Sequence, residues 1–189
     1  MNSSSWFDPR NVIDKYKGWS EDAIRQDLKD NSNGGAVCFY NPTGDFNFAS
    51  VVRNANAFGF RDVFYISPKK KWDKRGAVGT YHYTNVVWCE TVDMFWELSS
   101  SYCPVALENN INYELVSVYD IKWPDNPVIV IGEEQNGLPN TVLDGCKVIA
   151  TIPQYGSVRS INAAVASGIG MAYYAGFQAH KGLIFPSPK

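Results

Sequence analysis

Residues 127–131 read Pro-Val-Ile-Val-Ile, a short apolar run without alternation, and no other stretch constrains the fold so tightly. A strand with one wet face alternates apolar and polar side chains, whereas a strand covered on both faces does not. The run therefore predicts a strand inside a sheet that has helices above and below it. Similar runs lie at 36–40, 62–66, 86–89, 104–107 and 147–151, and segments of helical spacing at 47–58, 92–100 and 160–178 alternate with them. Such alternation predicts an α/β fold, a parallel sheet flanked by helices.

The first 34 residues differ from this pattern. Ser20-Glu21-Asp22 is a helix start with acids in its first turn, and 31–35, Asn-Ser-Asn-Gly-Gly, is a linker. Three parts are expected: an N-terminal helical appendage and linker over 1–34, a main domain over 35–182, and a tail over 183–189 that frays. Trp6, Phe7 and Trp19 are candidates to pack the appendage on the body. With 189 residues, 45% of them hydrophobic, the chain can bury one sizeable core. No 18-residue apolar run or signal-peptide pattern occurs, so the expectation is a soluble, cytoplasmic protein without a membrane partner. Cys38, Cys89, Cys103 and Cys146 lack C-x-x-C spacing and read as reduced, buried thiols. His82 and His180 share no metal-ligand spacing, so no metal site is expected.

Polar clusters sit where strands should end, the place where open α/β sheets bind ligands. Residues 132–137, Gly-Glu-Glu-Gln-Asn-Gly, follow the central strand; 41–44, Asn-Pro-Thr-Gly, form a turn before the helix that holds Asn47 and Arg53. Arg53 is flanked by Val51, Val52, Ala55, Ala57 and Phe58, and burying its charge there would demand an anionic or carbonyl partner. A third polar stretch at 152–162 runs into an uncharged helix of small residues. Ser160 is its expected N-cap and Asn162 falls in its first turn, leaving free N–H groups for a ligand.

Three motifs carry a family resemblance. Asn47-Phe-Ala-Ser-Val-Val-Arg53 matches N-x-G-x-x-x-R, Gly132-Glu-Glu134-Gln-Asn-Gly137 matches G-x-E-x-x-G, and Ile152-Pro-Gln-Tyr-Gly-Ser-Val-Arg-Ser-Ile-Asn162 matches I-P-M-x-G-x-x-x-S-L-N. In order and spacing the chain resembles, over about residues 36 to 180, the SpoU-like branch of the SPOUT methyltransferases. Ala49 stands for the usual Gly, Gln154 for Met, and Ala163-Ala164 for Val-Ser. The resemblance implies transfer of a methyl group from S-adenosylmethionine to a ribose 2'-hydroxyl of RNA, with tRNA preferred over rRNA. It also implies a deep C-terminal trefoil knot and a homodimer packed through the last helix. Leu107, Gly132, Ile152, Ser160 and Ile161 would hold the cofactor. Arg53, Asn47, Glu134, Ser160 and Asn162 would form the catalytic set, with Arg53 either the base or an electrostatic clamp.

Net charge is −2, but its distribution is uneven: residues 1–75 hold 12 Lys/Arg and 9 Asp/Glu, a surplus of three positive charges. The densest run, Lys69, Lys70, Lys71, Trp72, Asp73, Lys74 and Arg75, offers cations and an aromatic ring to RNA, as does Arg159 in the third motif. A solvated loop is the bland alternative for that run. Two other function classes stay open. A catalytically silent knotted RNA-binding or assembly protein is favoured by Ala164 and the acidic C-terminal half and opposed by the intact motif residues. A Rossmann-type enzyme would need G-x-G-x-x-G after the first strand, which the chain lacks.

Overall fold

The computed structural model describes residues 8–44, 46–109 and 112–182; Trp6, Phe7 and the 186–188 stretch lie outside them. Their elements follow the chain as α1 (Glu21–Asp30), β1 (Ala36–Tyr40), α2 (Asn47–Ala57), β2 (Asp62–Ile66), β3 (Asn85–Cys89), α3 (Val92–Leu98), β4 (Cys103–Leu107), β5 (Val116–Ser117), β6 (Pro127–Ile131), α4 (Asn140–Leu143), β7 (Val148–Thr151) and α5 (Ala163–His180). The strands form one sheet in the order β3-β2-β1-β6-β4-β7-β5, and every pairing is parallel. The two-residue β5 and the four-residue α4 add to the elements expected from periodicity.

Strand β6 lies between β1 and β4, and all five of its residues are buried. Side chains leave a strand to alternate faces. Val37, Phe39, Ile129 and Ile131 therefore pack on one side with Phe48, Val51, Val52 and Ala55 of α2 and Met171 and Tyr174 of α5. Cys38, Phe64, Val128 and Val130 pack on the other with Phe95 of α3 and Val142 and Leu143 of α4. Each fully buried Val, Ile or Phe contributes roughly 1.5–3 kcal/mol of transfer free energy, so an uninterrupted apolar strand is stable only in this two-sided position.

Helix α1 is capped by Ser20, whose Oγ accepts from Ala23 N at 3.2 Å. It docks through the buried Ile24 and through Arg25 Nε, which donates to the His82 carbonyl at 2.5 Å. Trp19 does not pack on the body as expected; its ring meets Tyr16 edge-on, 5.6 Å away, within the appendage. The 31–35 segment is tied down at Asn33. Its N–H donates to Gly59 O (2.9 Å), its Nδ2 to Phe58 O (2.8 Å), and its Oδ1 accepts from Gly35 N (2.8 Å). All four cysteines are free. Burial pushes the Cys89 thiol up to about 11 and the Cys146 thiol to about 12, which keeps both protonated and unreactive at neutral pH.

Tyr174 of α5 joins these parts. Its ring is fully buried beside Trp123 and Phe60, and its hydroxyl lies 2.6 Å from the Asp125 carbonyl oxygen and 3.1 Å from that of Asn33, while Gln178 Nε2 donates to it. Tyr174→Phe removes that oxygen and leaves these groups short of a partner, a loss of about 1–3 kcal/mol. The expected result is a lower urea midpoint with an unchanged slope; an unaltered midpoint would show that the hydroxyl holds nothing.

Candidate functional site

Because the sheet is parallel, the loops leaving β1, β6, β4 and β7 emerge at one edge, and these four strands are neighbours there. The loop after β6 is closed on itself. Gly137 N donates to Glu133 O at 3.1 Å, and a Cβ on Gly132 would stand 2.2 Å from the Gly137 carbonyl carbon, so only glycine fits at 132. Gly137 has φ +65, and a Cβ there would meet Glu108 Oε1 at 2.3 Å. Two glycines at this spacing thus make a tight loop that presents two acidic side chains in different directions.

Glu134 turns toward the two helices. Its Oε2 accepts from Asn47 Nδ2 (3.3 Å), Asn162 Nδ2 (3.1 Å) and the backbone N–H of Ala163 (3.0 Å). Asn162 Nδ2 also donates to Asn47 Oδ1 at 2.8 Å. Its Oδ1 accepts from Ala164 N (3.0 Å) and Val165 N (3.2 Å). Asn162, and not Ser160, is therefore the N-cap of α5. Both residue types cap well, but the helix begins at Ala163, and Ser160 lies in the exposed loop before it. The first three N–H groups of α5 are also not free for a ligand. Glu134 and Asn162 occupy them, and the carboxylate is favourably placed against the positive end of the helix dipole.

Glu133 points the other way and is buried. Its Oε2 accepts from Thr43 N (3.3 Å) and from Thr43 Oγ1 in a short bond, and its Oε1 accepts from Asn136 Nδ2 at 2.6 Å. This bond fastens the turn after β1 to the loop after β6. Glu108, just past β4, accepts from Leu138 N (2.7 Å) and Asn109 N (3.0 Å), while Asn109 Nδ2 donates to Arg159 O at 2.8 Å. Neither Glu133, Thr43 nor Glu108 stands out by motif; Glu108 and Thr43 are detectable only from their places just beyond strand ends. Asn54 is a further addition: its Nδ2 donates to Ala164 O at 3.1 Å and seals α2 against α5. The Ala164 carbonyl also accepts from Ser167 Oγ at 2.7 Å.

Beside this network lies a cavity of about 410 Å³. Leu107, Gly132, Ile152, Ser160 and Ile161, from three separate chain segments, all line it, together with Glu134 and Arg159. Its size falls in the range of roughly 300–1,000 Å³ that suits small-molecule ligands. Leu107, Ile131, Ile152 and Ile161 supply apolar wall and the Gly132–Gly137 loop supplies polar rim.

Arg53 is not part of the network. It is exposed rather than buried and makes no hydrogen bond or ion pair among the described residues. Of its apolar neighbours in sequence, Val51, Val52 and Ala55 are buried in the core on the side of α2 that faces the sheet. One turn before it, Ala49 and Ser50 meet the loop at Gly76, where a Cβ would sit 3.0 Å from Ala49 Cβ and 3.7 Å from Ser50 Oγ. Arg53 thus shares a flank of α2 with the basic run.

Within that run Lys69, Lys70, Lys71, Lys74 and Arg75 are exposed. Lys74 Nζ sits 4.6 Å from the Tyr81 ring centre and Lys70 Nζ 5.7 Å from that of Trp88. Arg75 is engaged by Asp73, whose carboxyl its guanidinium holds down to about 2. Trp72 is not offered for stacking on a base as expected; it is half-buried, edge-on to Phe48 at 4.8 Å and to Tyr81 at 6.1 Å.

The model of the SpoU rRNA Methylase family matches residues 35–172. The 23S rRNA (guanosine-2'-O-)-methyltransferase RlmB of Coxiella burnetii is 30% identical over 133 residues, which are 65% of this chain and 50% of that protein. Among solved structures, the A. aeolicus TrmH/SpoU tRNA modifying enzyme superposes with a TM-score of 0.74 at 22% identity, covering 86% of this chain and 84% of that one. The SpoU methyltransferase AviRb of Streptomyces viridochromogenes, in complex with AdoMet, gives 0.69 at 21% identity over 77% and 60% of the two chains. This chain spans about half the length of curated relatives that it matches. A parallel sheet with this loop network at its carboxyl edge and a family match across more than two thirds of the chain lead to one conclusion: the protein belongs to the SpoU rRNA methylase family.

Proposed function

We propose that this protein transfers a methyl group from S-adenosylmethionine to a ribose 2'-hydroxyl of RNA, with tRNA preferred over rRNA. The carrying observation is that Asn47, Glu134 and Asn162 are hydrogen-bonded to one another at the rim of a cavity lined by Leu107, Gly132, Ile152, Ser160 and Ile161. The RlmB relative's 2'-O-methyltransferase name, AviRb's AdoMet complex and the A. aeolicus tRNA modifying enzyme support the reaction, the cofactor and the RNA class in turn. The residues present fit such a cofactor: apolar walls accept a base, and the glycine at 132 lets backbone approach closely. When bound, S-adenosylmethionine supplies an electrophilic methyl carbon on a sulfonium.

Methyl transfer is mainly a matter of alignment. Asn47, Glu134 and Asn162 hold the starts of α2 and α5 in register with the cavity and so position the ribose. A guanidinium stays protonated, so Arg53 acts as a clamp on the phosphate next to the target ribose and on the developing alkoxide, while phosphate or water takes the proton. Lys69, Lys70, Lys71, Lys74, Arg75 and Arg159 bind the RNA backbone. Arg75 contributes least, being neutralised by Asp73.

The chain works in the cytoplasm as a homodimer. Val165 and Tyr173 are 53% and 42% exposed, eight residues apart on one face of α5, and Tyr119 packs on Tyr173 at 5.0 Å, an apolar surface suited to a second copy. A threaded, knotted path is supported by the strand order, since β6 and β7 return into a sheet whose neighbouring strands precede them in the chain. No described helix is long and apolar enough to cross a membrane.

The exposed Arg53, outside the Asn47 network, favours the silent RNA-binding reading as the alternative. Cofactor titration with methyl transfer into tRNA and rRNA separates the two, because a silent protein binds without labelling. Arg53→Ala should lower transfer by about 10²–10³-fold and leave cofactor affinity within about twofold. Equal losses of both would remove its clamp role. Asn162→Ala should reduce transfer and, by removing the cap, lower stability by about 1 kcal/mol, seen as a melting point ~2–4 °C lower; wild-type transfer would strike Asn162 from the site. Replacing Lys69, Lys70, Lys71 and Lys74 with Ala together should flatten the salt dependence of RNA binding by about 0.9 in slope for each phosphate that is no longer neutralised. An unchanged slope would return the run to plain solvated loop.

A further inference from the structure

Helix α2 keeps one stripe away from the core. Phe48, Ala49, Val51, Val52 and Ala55 are buried, whereas Phe46, Arg53 and Ala57 are exposed and Ser50 is half-buried between them. Phe46 is the N-cap of α2, and its φ of −82 and ψ of −2 lie in the α region, so helical spacing extends to it. Residues seven apart on a helix point within about 20° of each other and lie roughly 10 Å apart along its axis. The Phe46 ring and the Arg53 side chain therefore project on the same side. Phe46 is 76% exposed and packs in neither core cluster, yet its backbone is held from both directions. Before it, Thr43 is bonded to Glu133 and Asn41 Oδ1 accepts from Gly44 N at 3.0 Å; after it, Asn47 is bonded to Glu134 and Asn162. Its side chain makes no capping bond either.

We propose that Phe46 is the stacking platform for the base of the RNA nucleotide whose ribose meets Asn47 and Asn162. This rests on the RNA reading of the site. A single exposed ring needs no explanation by itself, so it is the position of Phe46 that assigns the role. It adjoins Asn47, which is bonded to the rim of the cavity, and shares a stripe with Arg53, the phosphate clamp. Base, sugar and phosphate then each meet a residue on one stretch of α2. The phenyl ring has no polar atom, and its face accepts any of the four bases. A second copy of the chain is the other occupant to weigh. A two-fold contact centred on this stripe would bring two Arg53 side chains and two basic runs together, whereas a polyanion neutralises both.

Titration of end-labelled total tRNA and of rRNA with the wild-type protein, Phe46→Leu and Phe46→Trp tests this, with methyl transfer followed in parallel. Leucine keeps apolar bulk without a ring face, and tryptophan keeps the face. The site is exposed, so both variants should melt with the wild type. Phe46→Leu should bind RNA about tenfold more weakly, with the KM for RNA raised to match. Cofactor affinity should stay within about twofold and the salt slope should not change, because stacking releases no counterions. Phe46→Trp should remain within about threefold of wild type. Wild-type RNA affinity in Phe46→Leu, an equal loss in Phe46→Trp, or a flattened salt slope would overturn the stacking role. So would dissociation of the dimer by Phe46→Leu in sedimentation, since a second copy would then be what covers the ring. If the wild type binds RNA without labelling it, the methyl-transfer reading fails while the same affinities still decide the role of Phe46. A wild type that binds neither RNA overturns both.

Discussion

One carboxylate oxygen, Glu134 Oε2, accepts from two asparagine amides and from the first N–H of α5. These donors belong to the start of α2 and the start of an 18-residue helix, and the acceptor belongs to the loop of the central strand. An ionised carboxylate with several donors at a helix N-terminus is among the better-satisfied arrangements for a charge near the surface. Without it, Asn162 could still cap α5 and donate to Asn47 Oδ1, but the tie from both asparagines to the loop of the central strand would be lost. Glu133, one residue earlier, does the complementary task inside, binding Thr43 and so locking the β1 turn to the same loop. Adjacent acids on a glycine-bounded loop thus tie three chain segments together, one from within and one from the rim.

The cavity follows from this arrangement rather than preceding it. Its walls come from the ends of β4 and β6 and from the loop between β7 and α5, and each is held by a bond to a neighbour: Glu108 to Leu138, Asn109 to Arg159, Glu134 to Ala163. Small residues make the fit possible on the helix side. A Cβ on Gly168 would stand 3.2 Å from Asn54 Nδ2, and one on Gly170 2.5 Å from Leu107 Cδ1, so α5 lies close against both α2 and the sheet. The result is a site whose shape is set before any ligand enters.

Much of the fold is legible in the amino-acid order because burial on two faces writes itself as runs such as 127–131, and the runs at 36–40 and 62–66 coincide with strands to the residue. What period cannot show is short: Val116–Ser117 and Asn140–Leu143 have too few residues to display one. At the site, Asn47, Glu134 and Asn162 are legible through motif and spacing. Glu133 is not, since two neighbouring acids look alike in one dimension and diverge only when the loop turns. Arg53 misleads for a related reason. On a helix, adjacent residues are about 100° apart, so an arginine between Val52 and Ala55 can stand in solvent while both of them are buried. Ser160 and Asn162 are both good caps, and only the place where helical backbone begins at Ala163 decides between them.

Asn47 meets Glu134 across 87 positions of chain and Asn162 across 115. Pairings so remote in sequence carry a large loop-closure cost and form late. A nascent chain that has emerged only through β3 can pair β1, β2 and β3 side by side, yet Asn47 still lacks Glu134 and Asn162, because β6 and α5 are still to come. The network that holds the cavity in shape therefore closes only once α5 has packed against α2 and the loop of the central strand.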